Sequence, residues 1–95
     1  MTEILDPAEI GTVRIAHELH RGDHVRLVDG RWALLLADPA RTAAGKVAAM
    51  VSIEMTRSEW TAWRPEQRVF SRTPAEQIRH VETVFAKLRA DGGAA

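Results

Sequence analysis

The sequence predicts an α+β domain, mostly β: a small, strongly bent antiparallel sheet followed by one C-terminal helix. Three observations carry this expectation. Asp29-Gly30 lies between alternating apolar residues, the strongest short-range signal for a β-hairpin. Residues 46–56 alternate in polarity without a break. Thr73-Pro74-Ala75-Glu76 opens an apolar run at helical spacing with the signature of a capping box. Counted along the chain, the strands number about five or six.

Composition narrows the function classes. A chain of 95 residues is a single domain with one core and little to spare. A hydrophobic fraction of 45% is that of a globular protein. Thirteen basic residues balance thirteen acidic ones. Zero net charge argues against a dedicated polyanion binder and leaves only a local patch for such a role. The absence of cysteine excludes disulfides and thiolate zinc sites. Residues 1–7 lack the basic start and apolar run of a signal peptide. No stretch approaches about 18 consecutive apolar residues, so a cytoplasmic protein without membrane contact is expected. Arginine outnumbers lysine and alanine is abundant, a bias that resembles a high-GC bacterial genome or one of its phages.

In chain order, residues 1–11 form an acidic lead-in with Glu3, Asp6 and Glu9, and Asp6-Pro7 marks a turn or a short helical start. Residues 12–19 alternate, with Val13, Ile15, His17 and Leu19 on one face of a half-buried strand. His20-Arg21-Gly22-Asp23 is a turn. Residues 24–28 and 31–37 are the arms of the Asp29-Gly30 hairpin, and Leu34-Leu35-Leu36 places the second arm mid-sheet. Residues 38–45, with Pro39 and Gly45, form a loop. In strand 46–56, Val47, Ala49, Val51, Ile53 and Met55 share a face. Arg57-Ser58-Glu59 is a turn, and residues 60–64 and 68–72 are short strands around Pro65-Glu66-Gln67.

The helix is expected over 74–90, with Thr73 as N-cap, Pro74 at the first helical position and Glu76 reaching back. Ile78, Val81, Phe85 and Leu88, with Val84 beside them, make one apolar stripe. That stripe is expected to cover an open face or end of the sheet. Arg79, His80, Glu82, Thr83 and Lys87 are then the solvated face. Lys87 and Arg89 complement the helix dipole, and Gly92-Gly93 ends the helix ahead of a short tail at 92–95.

Leu19-His20-Arg21-Gly22-Asp23, followed by Val25-x-Leu27-x-Asp29-Gly30-x-Trp32, resembles small SH3-like β-barrels over residues 13–36. The resemblance implies a barrel of five or six bent strands and a general binding habit. It transfers no catalytic residue. The C-terminal helix is an addition to the generic pattern.

Few residues suggest chemistry. His17, His20 and His24 fall close together, but a zinc site needs three or four converging ligands with support behind them. His17 reads instead as a satisfied, partly buried histidine, and His20 and His24 as solvated turn residues. Ser52, Ser58 and Ser71 sit in no nucleophile motif. The glycines form no phosphate loop or dinucleotide fingerprint. No enzyme activity, cofactor or metal is expected.

The sharpest segment is 57–72, with two of the three tryptophans. Its candidate binding residues are Arg57, Trp60, Trp63, Arg64, Arg68 and Arg72. Trp60 and Trp63 differ in strand parity, so one can be core while the other is exposed. The competing reading places both under the helix and makes the arginines a solubilising rim. The expected function is a non-catalytic interaction module that binds a protein partner, or itself as a homodimer, through this segment. The alternative is nucleic-acid binding by the same surface.

Overall fold

Seven antiparallel strands and one helix form the architecture, seen in a computed structural model that describes residues 10–92. The lead-in before Ile10 and the tail after Gly92 lie outside the described residues. The strands are β1 (Thr12–Ile15), β2 (His24–Arg26), β3 (Trp32–Leu35), β4 (Ala40–Arg41), β5 (Val47–Ile53), β6 (Arg57–Trp63) and β7 (Arg68–Arg72). The helix α1 spans Pro74–Gly92. The strand order is β1-β7-β2-β3-β5, with β6 on the far side of β5 and the two-residue β4 beside the start of β5. The sheet curls strongly into a half-barrel, as the sequence predicts.

Period-two alternation places the core on the inner face of the curl. Val47, Ala49, Val51 and Ile53 of β5 are all buried. Val25, Ala33, Leu35 and Val69 meet them from β2, β3 and β7. Trp63, opposite Val47, closes one end.

Several boundaries differ from the sequence reading, each for a local reason. The first strand ends at Ile15 because residues 16–18 turn into a 3₁₀ helix. The amide of Ala16 donates to Gln67 O at 2.8 Å and that of His17 to Pro65 O at 3.2 Å, which ties this turn to the β6–β7 loop. Three residues per turn then point Ala16 and Leu19 inward together. His17 is left exposed.

The Asp29-Gly30 hairpin has a three-residue loop. Leu27 N–H donates to Arg31 O at 2.8 Å and Gly30 N–H to Leu27 O at 2.9 Å. Gly30 alone in this loop has positive φ, at 88°. This is a type I turn followed by a glycine bulge, the commonest three-residue alternative to a two-residue turn. Asp29 locks it by accepting from Arg31 N–H at 3.0 Å and Arg31 Nε at 2.6 Å. The Arg31 amide bond, foremost among the favourable contacts, holds the Asp29 carboxyl below its usual range.

The expected loop at 38–45 contains β4, which forms a tight hairpin with β5. Thr42 N–H donates to Lys46 O at 2.8 Å and Gly45 N–H to Thr42 O at 3.0 Å. The next turn lies at residues 54–56, three residues before the predicted one. Thr56 N–H closes it on Ile53 O at 3.0 Å, and Glu54 and Met55 hold φ of 50° and 60°. Residues 57–59 therefore belong to β6.

The helix starts where the capping box predicts. Glu76 N–H donates to Thr73 Oγ1 at 3.1 Å, and Thr73 N–H donates to Glu76 Oε1 at 2.9 Å. Its foot is tied to β1: Arg14 Nη2 reaches Glu76 Oε1 at 2.8 Å and Thr12 Oγ1 donates to Glu76 Oε2 at 2.9 Å. Partial burial alone would raise the Glu76 pKa. The Thr73 amide, Arg14 and Thr12 outweigh it and bring the value down to about 2.

One expectation about the helix is overturned: α1 does not cover the sheet. Its main contact with the sheet is at its foot, against β7. The described chain measures 56 × 28 × 21 Å. Ile78, Val81, Phe85 and Leu88 are exposed, Ile78 to 60%. The core of the half-barrel is made by the strands and by Ala16 and Leu19, and it includes no residue of α1.

Candidate docking surface at the open edge of the half-barrel

β6 carries the candidate site because of where it lies. Among the described residues it pairs with β5 on one side and with no strand on the other. Such an edge turns alternate backbone N–H and C=O groups outward, ready to pair with another chain. Seven residues give an edge of about 23 Å at 3.3 Å per residue.

Strand parity separates the two tryptophans. Trp63 faces inward opposite Val47 and is 4% exposed, whereas Trp60 faces outward opposite Met50 and is 70% exposed. Burial along the inner face of β6 fades from Trp63 to Arg57, so the half-barrel gapes at that end. Arg57 and Glu59 meet there in an ion pair of 2.9 Å. A groove of about 350 Å³ opens between the inner side of β6 and the β2–β3 turn, with Leu27, Val28, Val51 and Ile53 among its apolar lining and Glu59 and Gln67 among its polar lining, while the Trp60 side chain stands on the other face of the strand.

The six residues expected to bind therefore divide. Trp60, Arg57, Arg64 and Arg68 are exposed. Trp63 and Arg72 leave the surface set. Trp63 is a core residue, and Arg72 is 4% exposed on the opposite end of the sheet. The Arg72 guanidinium stacks 3.9 Å above the Trp32 ring, and its Nε donates to Ile10 O at 2.6 Å. Phe70 meets Trp32 edge-on, with ring centroids 5.7 Å apart. This cluster fastens the start of β1 to the outer face of β7, and there Gly11 passes so close that a Cβ would lie 2.7 Å from Phe70 Cζ. Arg64 and Arg68 flank the β6–β7 turn, closed by Gln67 N–H on Arg64 O at 3.0 Å.

Sequence reasoning missed Leu27 and Val28 as a wall of the groove. The only signal was that Val28, at a turn, is apolar without belonging to the alternating stripe; it is 97% exposed.

The histidines do not assemble. His17 and His20 are exposed, and His24 is half-buried on β2. Burial, reinforced by Arg72 and by His80, pushes the His24 pKa down against the opposing pull of Asp23. Among the described residues no three His, Cys, Asp or Glu side chains gather as a metal-binding group. No helix among them is long and apolar enough to cross a membrane. No family model matches the chain, and neither a curated protein nor a solved structure matches it.

Proposed function

We propose that this chain is a non-catalytic interaction module that takes an extended segment of a partner protein along the free edge of β6. The observation that carries the reading is a seven-residue edge strand with, among the described residues, a neighbouring strand on one side only, beside a groove with apolar lining. In strand addition, main-chain hydrogen bonds supply affinity and flanking pockets supply specificity. Here Trp60, Leu27 and Val28 are the apolar contacts, and Arg57, Arg64 and Arg68 form a polar rim. The resemblance of residues 13–36 to SH3-like barrels implies the same binding habit.

A displayed library of extended peptides about ten residues long tests this. The expected result is a peptide that binds the protein, loses affinity about tenfold or more with Trp60→Ala, and loses binding when alternate backbone amides are N-methylated. A selected peptide indifferent to backbone methylation would sink strand addition. Single-stranded nucleic acid is the competing occupant. Its signature is oligonucleotide binding that falls steeply with added salt, with no peptide selected.

A further inference from the structure

The apolar stripe of α1 is the largest feature the β6 reading leaves unused. Ile78, Val81, Phe85 and Leu88 are 60%, 41%, 58% and 59% exposed. Their spacing of three, four and three residues is that of alternating a and d positions in a two-helix seam. Contiguous apolar surface of this kind marks an interface. From this geometry we infer that α1 pairs antiparallel with α1 of a second copy of the chain.

The side chains favour that orientation. Antiparallel pairing about a twofold axis at the level of residue 83 sets Ile78 against Leu88 of the other copy and Val81 against Phe85. Every layer then joins side chains of different shape, with the smaller Val facing the larger Phe. A parallel pair would stack Phe85 on Phe85 and Val81 on Val81, one layer crowded and the next thin. Antiparallel pairing also brings the two Val84 side chains together beside the axis, which widens the seam. Along the opposite rim the two Glu82 side chains come nearest each other at the axis, with an Arg89 flanking them at either end, so the rim charges do not choose the orientation and the apolar layers do. The opposed macrodipoles add a small favourable term.

The body of the protein permits the arrangement. α1 leaves the sheet at its foot, and the described chain is 56 Å long. Antiparallel partners therefore carry their half-barrels at opposite ends of the pair, where neither obstructs the helix seam or the β6 edge. The area available to the seam is small. Nineteen helical residues span about 28 Å. Two strips of that length and about 10 Å width fall below the roughly 1,200 Å² at which stable specific interfaces begin. The pairing is accordingly weak and concentration-dependent.

Analytical ultracentrifugation of the full chain between about 5 and about 500 µM tests the inference. The sedimentation coefficient is expected to rise from monomer to dimer across this range. Phe85→Glu is expected to stay monomeric throughout while circular dichroism and peptide capture at β6 are unchanged. The absence of cysteine makes orientation readable. Mixed under mild oxidation, Ile78→Cys and Leu88→Cys proteins should form the mixed disulfide, and neither should cross-link with itself. A wild-type monomer at every concentration overturns the inference. So does a dimer that survives Phe85→Glu, or self-cross-linking of Leu88→Cys, which would mean a parallel seam.

Discussion

β5 and α1 are both amphipathic, and they meet opposite fates. On β5, Val47, Ala49, Val51 and Ile53 recur every second residue and none is more than 3% exposed. On α1, Ile78, Val81, Phe85 and Leu88 recur at helical spacing and none is less than 41% exposed. The difference lies in what each element finds across from it. β5 has strands on both sides, and the curl of the sheet folds their inner faces onto one another. α1 follows the last strand, contributes nothing to the core cluster, and among the described residues has its main contacts with the sheet at its foot. An amphipathic pattern thus states that a face seeks apolar contact. It does not state whether that contact lies within the chain.

Two substitutions of similar size offer the strongest way to break this comparison. Trp63→Ala removes a ring that is 96% withdrawn from water and should cost about 3–5 kcal/mol of folding stability. Phe85→Ala, measured at a concentration where the chain is monomeric, should change stability by no more than about 0.5 kcal/mol. Urea denaturation followed by tryptophan fluorescence and far-ultraviolet circular dichroism reads both. If Phe85→Ala costs as much as Trp63→Ala, the stripe is packed within the monomer and the contrast is lost.

Much of the fold was legible in local pattern, and the misses share a cause. The Thr73–Glu76 capping box, the outer limits of β7 and the opposite parity of Trp60 and Trp63 all follow from residues within a few positions of one another. Those expectations match the structure. The turn at 54–56 was illegible because Glu54 and Met55 are not residues that favour positive φ. The end of β1 was hidden because its amides are taken by Gln67 and Pro65, far along the chain. Arg72 was taken for a surface residue because its partner, Trp32, lies on a strand that no nearby sequence connects to β7. At the candidate site, Trp60 and the arginines were visible as composition. The groove was not, because Leu27 and Val28 are brought opposite β6 by the curl of the sheet.

Glu76 joins the two regions and sharpens the contrast at its hinge. Its carboxylate holds the Thr73 cap, Arg14 and Thr12 together, and its pKa falls from 4.5 to about 2. A carboxyl depressed on folding stabilises the native state fully above its unfolded pKa and loses that contribution as pH falls through its folded pKa. With solvent screening allowed for, Glu76→Gln should cost about 1–2 kcal/mol at pH 7. The gap between variant and wild type should narrow between pH 4.5 and about 2. Because Glu76 fastens α1 to β1, hydrogen exchange should quicken in the first turns of α1 more than in β5. Equal acceleration in both would mean that helix and sheet open as one unit.

The smallest effect concerns the sheet alone. Met55 is 92% exposed and sits at φ 60°, a left-handed conformation that costs a side chain with a Cβ. Met55→Gly removes that cost and sacrifices almost no buried contact, since the side chain stands in solvent. The added backbone freedom of glycine in the unfolded chain offsets part of the gain. A net increase of about 0.5–1 kcal/mol in folding stability is expected, seen as a higher urea midpoint at unchanged slope. The substitution lies on the β5–β6 turn, away from α1, so the dimer dissociation constant should not move. A change in that constant would show that the β5–β6 turn reaches the helix seam, and the separation between a closed sheet and an open helix would fail there.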